Sequence, residues 1–540
     1  MLRIGRLFTG RTTNMVLRSV SQKPASSFVV RSFSDMPDLN VTPIERTQHY
    51  GGVSVMKFGG SSLGSASAFR KVRSIIKDEQ DKHGAAAIVV SAMYGVTDQL
   101  VAAGNAAAAG DAETVENIYH EVRNLHLDTA DVLFKFDVIE NDSFADFREA
   151  TRSEVPSDVE IAMSMRPVVS RQLDALLDAG FLQVTQQCLE SGELAPSDRD
   201  LLHSLGERLS STMAYFYLIS CGFRAKIVDP STCIVTEGKF GEGRPNLAES
   251  EHRLRRELVP LFNAKSVAIV PGFFGGDSNG VLHTFGRGGS DLTAAVVGHA
   301  VDANMVTLWK VEHEKEPDSW RMREWRDGLV GIVHSVEASE ASPPPLDEVS
   351  YGTAGVMAKF GKKVLHPDTV FPLIEKNIPV RVANTIRPDE PGTFIRQLEN
   401  RYPFRPTSVV TVPMSQLDHA EVVWDTDGQR RDFIVEASEV PEESVLVVLV
   451  GLNLNEFEVK VAEYMFTAPL RAAKIDFVVP STVKMTSVDP SSFFCLAVPK
   501  DSAKEAAKLL HRAFVKPHRK KVVDEIEATD DIAHGQVQSS

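Results

Sequence analysis

The sequence predicts an α/β protein whose mostly parallel sheet is covered by helices on both faces, followed by a smaller α+β region. From about residue 52 onward, short apolar runs alternate with longer stretches of helical periodicity, which is the pattern of strand-helix-strand units. After about residue 400 the predicted elements become shorter. They are a strand, a helix, two strands and a helix, at residues 444–450, 459–473, 476–479, 493–498 and 502–514.

Length and composition are those of an ordinary globular protein. The chain has 540 residues, 43% hydrophobic and 24% charged, which is enough for more than one core. Its formal net charge of -15 argues against nucleic acid as a partner. No apolar run approaches the roughly 18 residues of a membrane-spanning helix, so no membrane partner is expected. The four cysteines form no C-x-x-C pair, and neither a disulfide scaffold nor a thiolate zinc site is indicated.

The first 45 residues differ from this acidic background. Residues 1–34 contain several arginines, many Ser and Thr and no carboxylate, which is typical of an organelle transit peptide. Arg11 and Arg18 interrupt the apolar runs that a secretory signal would need. The ending Arg-Ser-Phe-Ser at 31–34 favours a mitochondrial address, with the plastid as the alternative organelle. A disordered basic arm is the other interpretation.

Three predicted strands, at 53–58, 86–90 and 266–270, lead into turns rich in glycine or hydroxyl residues and then into helices. Glycines let the backbone approach an anion closely, and the N-H groups that begin the next helix favour negative charge. The turns contain Gly59-Gly60-Ser61-Ser62, Ser91 with Thr97, and Gly286-Arg287-Gly288-Gly289-Ser290-Asp291. This arrangement predicts a phosphate-binding site.

Charged residues near these turns suit a site that holds a phosphate donor together with an amino acid. Lys57, at the end of the first strand, supplies a movable ammonium group. Arg287 is able to grip a carboxylate through two parallel hydrogen bonds. Glu207 and Asp291 are able to pair with an amino group or with a metal-bridged phosphate.

Two other motifs compete for the first turn. Gly60-Ser61-Ser62-Leu63-Gly64 matches the G-x-S-x-G nucleophile elbow, which leaves a serine hydrolase that uses Ser62 as an alternative. Against it, the turn follows the first strand and no HGGG-like segment precedes it. A Walker A loop fails because Ser65 stands where its lysine belongs. No H-E-x-x-H motif occurs, and no metal site built from protein ligands is assigned.

In combination and in this order, the segments resemble the aspartokinases, a branch of the amino-acid kinase family. The resemblance covers about residues 53–396. Its motifs are Lys57-Phe58-Gly59-Gly60-Ser61-Ser62, Val89-Val90-Ser91-Ala92 with Thr97, Gly206-Glu207-Arg208, Gly286-Arg287-Gly288-Gly289-Ser290-Asp291, Gly361-Lys362-Lys363-Val364-Leu365-His366-Pro367 and residues 378–393. It implies a three-layer αβα amino-acid kinase fold over 52–400 and an ACT-like (ferredoxin-like) region over 401–520. The composition of residues 521–540 predicts a disordered acidic tail.

The resemblance also implies an activity. An aspartokinase transfers a phosphoryl group from ATP, with Mg²⁺, to the side-chain carboxylate of L-aspartate, giving 4-phospho-L-aspartate, the first step of lysine, threonine and methionine biosynthesis. Lys57 and Asp291 would be catalytic. Aspartate would be held by Ser91, Thr97, Glu207, Arg287 and Ser290, and ATP by Lys57, Gly59, Gly60, Ser61, Lys363 and Asp327. Because a carboxylate nucleophile is already ionised, positioning and charge neutralisation suffice.

One segment departs from the family pattern. After the helix that begins near Asp291, aspartokinases usually continue into a strand and a loop of the type W-T-D-V-D-G-I-x-T-A-D-P-R. Here Trp309-Lys310 is followed by a different sequence and by a second Trp-x-Asp ending at Asp327, which predicts an insertion near residues 311–326. Either Asp327 and its neighbours rebuild the ATP pocket, or the protein is a catalytically impaired amino-acid-sensing relative.

The region after residue 400 carries the expectations about regulation. ACT modules typically bind an end-product amino acid where two copies pair, so the resemblance implies feedback control and a homo-oligomer. The residues do not distinguish lysine from threonine, and the first of the two ACT copies, at about 404–440, is poorly legible.

Overall fold

The computed structural model describes the polypeptide from residue 52 to residue 515 with gaps. The described residues are 52–135, 158–311, 348–359, 367–398, 406, 408–413, 423–424, 430–431, 434–435, 444–452, 456–479, 483–484 and 493–515. The predicted transit peptide, most of the predicted insertion and the acidic tail lie outside them, as do Asp327 and Lys363.

Strands and helices are interspersed along the described residues. The strands are β1 Val53–Phe58, β2 Ala85–Val90, β3 Ala225–Ile227, β4 Thr236–Glu237, β5 Arg244–Pro245, β6 Val267–Pro271, β7 Phe274–Gly276, β8 Leu282–Thr284, β9 Met305–Lys310, β10 Glu348–Ser350, β11 Val380–Asn384, β12 Thr393–Arg396, β13 Ser408–Pro413, β14 Val423–Trp424, β15 Arg430–Arg431, β16 Ile434–Val435, β17 Ser444–Val450, β18 Val483–Lys484 and β19 Phe493–Pro499.

The helices lie between these strands and, for the last one, after them. They are α1 Ala66–His83, α2 Val96–Ala108, α3 Ala112–Lys135, α4 Asp158–Leu177, α5 Gln183–Ser191, α6 Pro196–His203, α7 Leu205–Ser220, α8 Pro230–Cys233, α9 Leu247–Asn263, α10 Gly289–Ala300, α11 Tyr351–Lys359, α12 Pro367–Glu375, α13 Glu456–Ala472 and α14 Ala503–Leu510. None of these helices is long and apolar enough to cross a membrane.

An eight-stranded sheet forms the centre of the first region, in the order β10-β12-β11-β9-β1-β2-β6-β3. Neighbours from β3 to β11 are parallel, and β12 runs antiparallel to β11. The mostly parallel sheet predicted from the alternating pattern is therefore confirmed. The strands β1, β2, β6 and β9 are neighbours, so their carboxyl ends meet at one edge, where open α/β sheets bind ligands.

β1 occupies the interior of this sheet, and every one of its residues is buried. Strands covered on both faces are normally continuous apolar runs, as β2 is with Ala85–Val90. β1 breaks the rule with Ser54, whose hydroxyl donates to Glu79 at 3.0 Å, and with Lys57. A buried ammonium group needs a partner, and this requirement shapes the site at the carboxyl edge.

Helix α10 packs closely on the sheet through a glycine. A Cβ added at Gly298 would lie 2.4 Å from a methyl carbon of Val306 in β9. The helix begins just after Gly288, whose φ of 77° places it in the left-handed region. This close packing fixes where the first turn of α10, with Ser290 and Asp291, meets the sheet edge.

The second region has a three-stranded antiparallel sheet in the order β13-β17-β19. On one face Val447 packs in a core with Phe466 of α13 and Leu510 of α14. On the other face Leu446 joins the core that contains Tyr351 of α11. The alternation has the period of a strand, as the sequence predicts for 444–450.

Most of the predicted elements of this region are present. The strand predicted at 476–479 is wrong, because only Val478 forms a bridge, with Ala497, and the short strand β18 lies at Val483–Lys484. The order of the remaining elements agrees with the prediction. The ACT-like identity of this region stays a prediction.

We expect Gly298→Ala to lower the free energy of unfolding by about 1–3 kcal/mol, because its methyl group would press α10 away from β9. Gly355→Ala is the matched control, since no atom lies within 4 Å of the Cβ position there. That helical substitution should be neutral or stabilising by up to about 1 kcal/mol. Thermal denaturation of both variants checks the expectation, and equal melting temperatures would contradict it.

Candidate active site

A buried ion pair stands at the centre of the sheet edge. Lys57, the penultimate residue of β1, places its Nζ 2.5 Å from Oδ1 of Asp291 in the first turn of α10. The two side chains are 10% and 9% exposed. Gly59 leaves the space above this ammonium open, since a Cβ there would lie 3.8 Å from the Lys57 Nζ. An anion thus has room to approach Lys57 over the backbone of the turn.

A second ammonium group reaches the same carboxylate. Lys310, the last residue of β9, donates from Nζ to Oδ2 of Asp291 at 3.4 Å. Burial opposes ionisation of Asp291, but Lys310 and Lys57 more than offset it and hold the pKa of this carboxyl at about 2. Asp291 is thus ionised between two lysine side chains. Lysines gathered at a glycine turn suit a phosphate ligand.

Glu207 lies in the first turn of α7 and is 3% exposed. Its Oε1 accepts a hydrogen bond from the Ser290 hydroxyl at 3.4 Å. Burial raises the pKa of Glu207 to about 8, although the backbone N-H groups of Ala92 and of Glu207 itself act in the opposite direction. Oε2 has no hydrogen-bond partner among the residues that the structure describes. An unsatisfied buried acceptor is unfavourable, and a donor supplied by a ligand would satisfy it.

The turn after β2 connects these groups. Ser91 donates its N-H to the carbonyl of Phe58 at 3.2 Å, and its own carbonyl accepts from the Ser210 hydroxyl at 2.5 Å. A Cβ on Gly60 would lie 2.8 Å from the carbonyl oxygen of Ala92, and one on Gly206 would lie 2.6 Å from the Ala92 methyl. The glycine turn after β1 and helix α7 therefore both approach this turn closely.

The loop after β6 covers the start of α10. Gly272 has no room for a side chain, because a Cβ there would lie 2.7 Å from the Ser290 Cβ. Phe273 has a φ of 79°, which is rare for a bulky residue. Its N-H donates to the Thr293 hydroxyl at 3.0 Å, and its carbonyl accepts from the Phe285 N-H at 2.9 Å. Strained backbone held in this way is common at ligand sites.

Arg287 is exposed, and it lies between two glycines in the left-handed region, Gly286 and Gly288. A buried carboxylate supports the preceding segment. Oδ2 of Asp200, a residue with no exposed surface, accepts the N-H of Gly241 at 2.7 Å and the N-H of Thr284 at 2.8 Å. The loop that presents Arg287 is thereby anchored three residues before it.

Ser62 has a structural role that does not suit the nucleophile elbow. Its side chain has no exposed surface, and its Oγ donates to the carbonyl of Trp309 at 3.3 Å. The same oxygen shares a hydrogen bond of 2.7 Å with the hydroxyl of Thr385. Ser62 thus links the turn after β1 to β9 and to the residue after β11. A hydrolytic nucleophile must instead meet its substrate.

An ion pair joins Lys57 to Asp291, and a hydrogen bond joins Ser290 to Glu207. Because Ser290 and Asp291 are neighbours in the chain, the structure brings these four predicted residues together. Ser61 lies at the same edge and accepts the N-H of Val311 at 3.3 Å. Thr97 lies in the first turn of α2 and is partly exposed. Lys363 and Asp327 are not among the described residues.

The contact of Lys310 with Asp291 was not predicted from the sequence, where Lys310 served only to mark the start of the segment that departs from the family pattern. The available signal was its place at the end of a strand that carries other turn residues at the same edge. The pairing of Phe58 with Trp309 is what brings Lys310 beside the first turn. Among the described residues, no group of three His, Cys, Asp or Glu side chains is placed to hold a metal ion.

Comparison with known proteins gives a family match over residues 52–312, to the amino acid kinase family. The chain is 27% identical over 402 residues to the chloroplastic aspartokinase 3 of Arabidopsis thaliana, covering 74% of this chain and 61% of that protein. It is also 27% identical to the lysine-sensitive aspartokinase 3 of Escherichia coli, covering 65% of this chain and 66% of the relative. The chain therefore spans less than two thirds of the length of these relatives.

Solved structures agree in fold. The Escherichia coli aspartokinase III complex with aspartate and ADP matches 85% of this chain and 99% of its own, with a TM-score of 0.59 and 20% identity. The complex of the same enzyme with lysine and aspartate matches 86% of this chain with a TM-score of 0.61 and 22% identity. At this identity the likeness establishes the fold.

We expect Glu207→Gln to stabilise the folded protein at alkaline pH. In the unfolded chain this carboxyl ionises near 4.5, whereas the folded protein holds its proton up to about 8. Protonated Glu207 therefore contributes to the free energy of unfolding, fully below pH 4.5, and this contribution is lost as the pH rises through 8. The neutral amide does not incur this loss, so its melting temperature should exceed that of the wild type by roughly 2–5 °C at pH 8.5.

Near pH 5 the two proteins should melt much closer together. Glu242→Gln, which changes an exposed glutamate, is the control and should show no such pH dependence. A difference between Glu207→Gln and the wild type that is the same at both pH values would contradict the expectation.

Proposed function

We propose that the chain, which matches the amino acid kinase family over residues 52–312 and is similar to aspartokinases, transfers the γ-phosphoryl group of ATP to the side-chain carboxylate of L-aspartate. The observation that carries this proposal is one site with two unlike halves. Lys57 and Lys310 offer positive charge to phosphate, and Glu207 offers a buried acceptor to an ammonium group. The related Escherichia coli enzyme, solved with aspartate and ADP, supports the same pair of substrates.

The transfer needs few protein groups. An oxygen of the aspartate side chain forms a bond to the γ-phosphorus, and the bond from that phosphorus to the β,γ-bridging oxygen breaks. ADP leaves and an acyl phosphate remains, with no proton taken up or released in the transfer. Lys57 neutralises charge on the transferring group, and Asp291 holds the lysine in place.

The amino acid is held at its other end. When the amino acid binds, Glu207 releases its proton and the ammonium group donates to Oε2 in its place. Ser290 orients that carboxyl through its hydroxyl. Arg287 grips the α-carboxylate from the loop that Asp200 anchors. Ser91 and Thr97 border the amino-acid end, from the turn after β2 and the start of α2.

The nucleotide half uses Gly59, Gly60 and Ser61 of the first turn. We also assign to this half Lys363, by resemblance, and Asp327, as part of a rebuilt ATP pocket. The described residues provide no cage for Mg²⁺, and Asp291 is already paired with two lysines. Mg²⁺, bound together with ATP, would neutralise part of the phosphate charge.

The alternative of an impaired sensing relative rests on the segment after Val311, which lies outside the described residues. The ion pair of Lys57 with Asp291 and the hydrogen bond from Ser290 to Glu207 support the enzyme. A serine hydrolase is disfavoured by the burial of Ser62.

Regulation and location are part of the proposal. The region after residue 400 binds a feedback amino acid and pairs between copies of the chain, and the Escherichia coli structure solved with lysine favours lysine over threonine. The amino-terminal segment directs the chain to an organelle. The chloroplastic relatives from Arabidopsis thaliana favour the plastid over the mitochondrion.

We expect the full chain to release ADP from Mg²⁺-ATP with L-aspartate, and far less with L-glutamate or without an acceptor. Lys57→Met should lower kcat by about 100-fold or more, because it removes the ammonium nearest the transferring group. Lys82→Met, which changes a lysine whose side chain is 64% exposed, is the control and should retain full activity. Aspartate-independent ADP release, or an active Lys57→Met variant, would contradict the proposal.

A further inference from the structure

We propose that Lys310 is a second phosphate-binding lysine, which contacts the phosphates of ATP together with Lys57. This inference rests on the proposed function, because it assigns a further residue to the same site. The ligand that Lys310 recognises is the triphosphate of the nucleotide.

The register of the sheet places Lys310 at the level of the glycine turn. In the parallel pairing of β1 with β9, Lys57 lies opposite Leu308 and Phe58 opposite Trp309. Lys310 is therefore one residue beyond the last paired position, beside Gly59, whose N-H donates to the Trp309 carbonyl at 3.2 Å. A phosphate seated over this turn lies within reach of both lysines.

The two lysines contact Asp291 at different distances. Lys57 makes the closer contact, at 2.5 Å from Oδ1. Lys310 makes a longer contact of 3.4 Å with the other carboxylate oxygen. An ammonium group has three N-H donors, so Lys310 can keep Asp291 as one partner and donate to a phosphate oxygen with another.

Exposure separates the roles of the two lysines. The side chain of Lys310 is 24% exposed, whereas that of Lys57 is 10% exposed. Lys310 therefore stands nearer the open side of the edge, from which a nucleotide enters. Asp291 orients both ammonium groups, and the contact between Lys310 and phosphate acts on nucleotide binding as well as on transfer.

The test compares Lys310→Met with Lys310→Arg in the full chain. Calorimetry measures binding of the Mg²⁺ complex of a β,γ-imido analogue of ATP, and steady-state kinetics measure KM for each substrate. Lys310→Met should weaken analogue binding about 10-fold or more and raise KM for ATP similarly, with KM for aspartate changed by less than about 3-fold. Lys310→Arg should stay within about 3-fold of the wild type.

Lys77→Met is the matched control, since this lysine pairs with Asp81 on the surface of α1 with a side chain 45% exposed, and it should bind the analogue as the wild type does. If Lys310→Met does not fold, Lys310→Thr takes its place with the same expected loss. Wild-type analogue binding by the uncharged variant, or no analogue binding by the wild type, would overturn the inference.

The two proposals fail in different ways. Lys310-dependent binding of the analogue without aspartate-dependent turnover would refute the aspartate kinase and support Lys310 as a phosphate ligand. Aspartate-dependent turnover that survives Lys310→Met with an unchanged KM for ATP would support the aspartate kinase and refute Lys310 as a phosphate ligand.

Discussion

The candidate site depends on one buried ion pair, Lys57 with Asp291. A charged side chain in an interior strand is unfavourable unless it is paired, and removing one partner of a buried pair typically costs about 3–5 kcal/mol. The pairing therefore requires α10 to begin at the carboxyl edge of β1. Gly288 starts that helix, and Gly298 lets it lie against β9. The packing that satisfies Lys57 is also the packing that brings Ser290 next to Glu207.

The two buried carboxyl groups of the site differ in protonation state. Asp291 is ionised because two ammonium groups surround it, whereas burial keeps Glu207 protonated near neutral pH. The two carboxyl groups differ in charge because Lys57 and Lys310 contact Asp291, whereas burial is the largest effect on Glu207. The ionised carboxyl orients lysines, and the neutral one is ready for a ligand that brings positive charge. This difference between the two halves is what an enzyme for a phosphate donor and an amino acid requires.

Much of the fold was predictable from the sequence. The apolar runs of β1, β2 and β6 and the glycine turns after them predicted a parallel sheet with a ligand edge, and both the amino acid kinase fold and the resemblance to aspartokinases are confirmed. The prediction of a strand at 476–479 was wrong, because Val478 forms only an isolated bridge, with Ala497. Apolar residues alone do not show whether a segment pairs with a strand.

Contacts between distant segments were less predictable. The motif order implied that Glu207 and Ser290 share a site, although no local pattern relates residues so far apart in the chain. The position of Lys310 in the site could not be predicted locally, because it depends on the register between β1 and β9, two strands that are distant in the chain. The burial of Ser62 could not be predicted either, because its motif is that of an exposed nucleophile.

The central claim is that the acceptor is the side-chain carboxylate of aspartate, and the identity of the product tests it most directly. An acyl phosphate reacts with hydroxylamine to give a hydroxamate, whereas phosphate esters and phosphoramidates do not do so readily. Incubation of the full chain with Mg²⁺-ATP, L-aspartate and hydroxylamine should yield the β-hydroxamate of aspartate in step with ADP, as measured by mass spectrometry. ADP release without any hydroxamate would contradict phosphoryl transfer to the carboxylate.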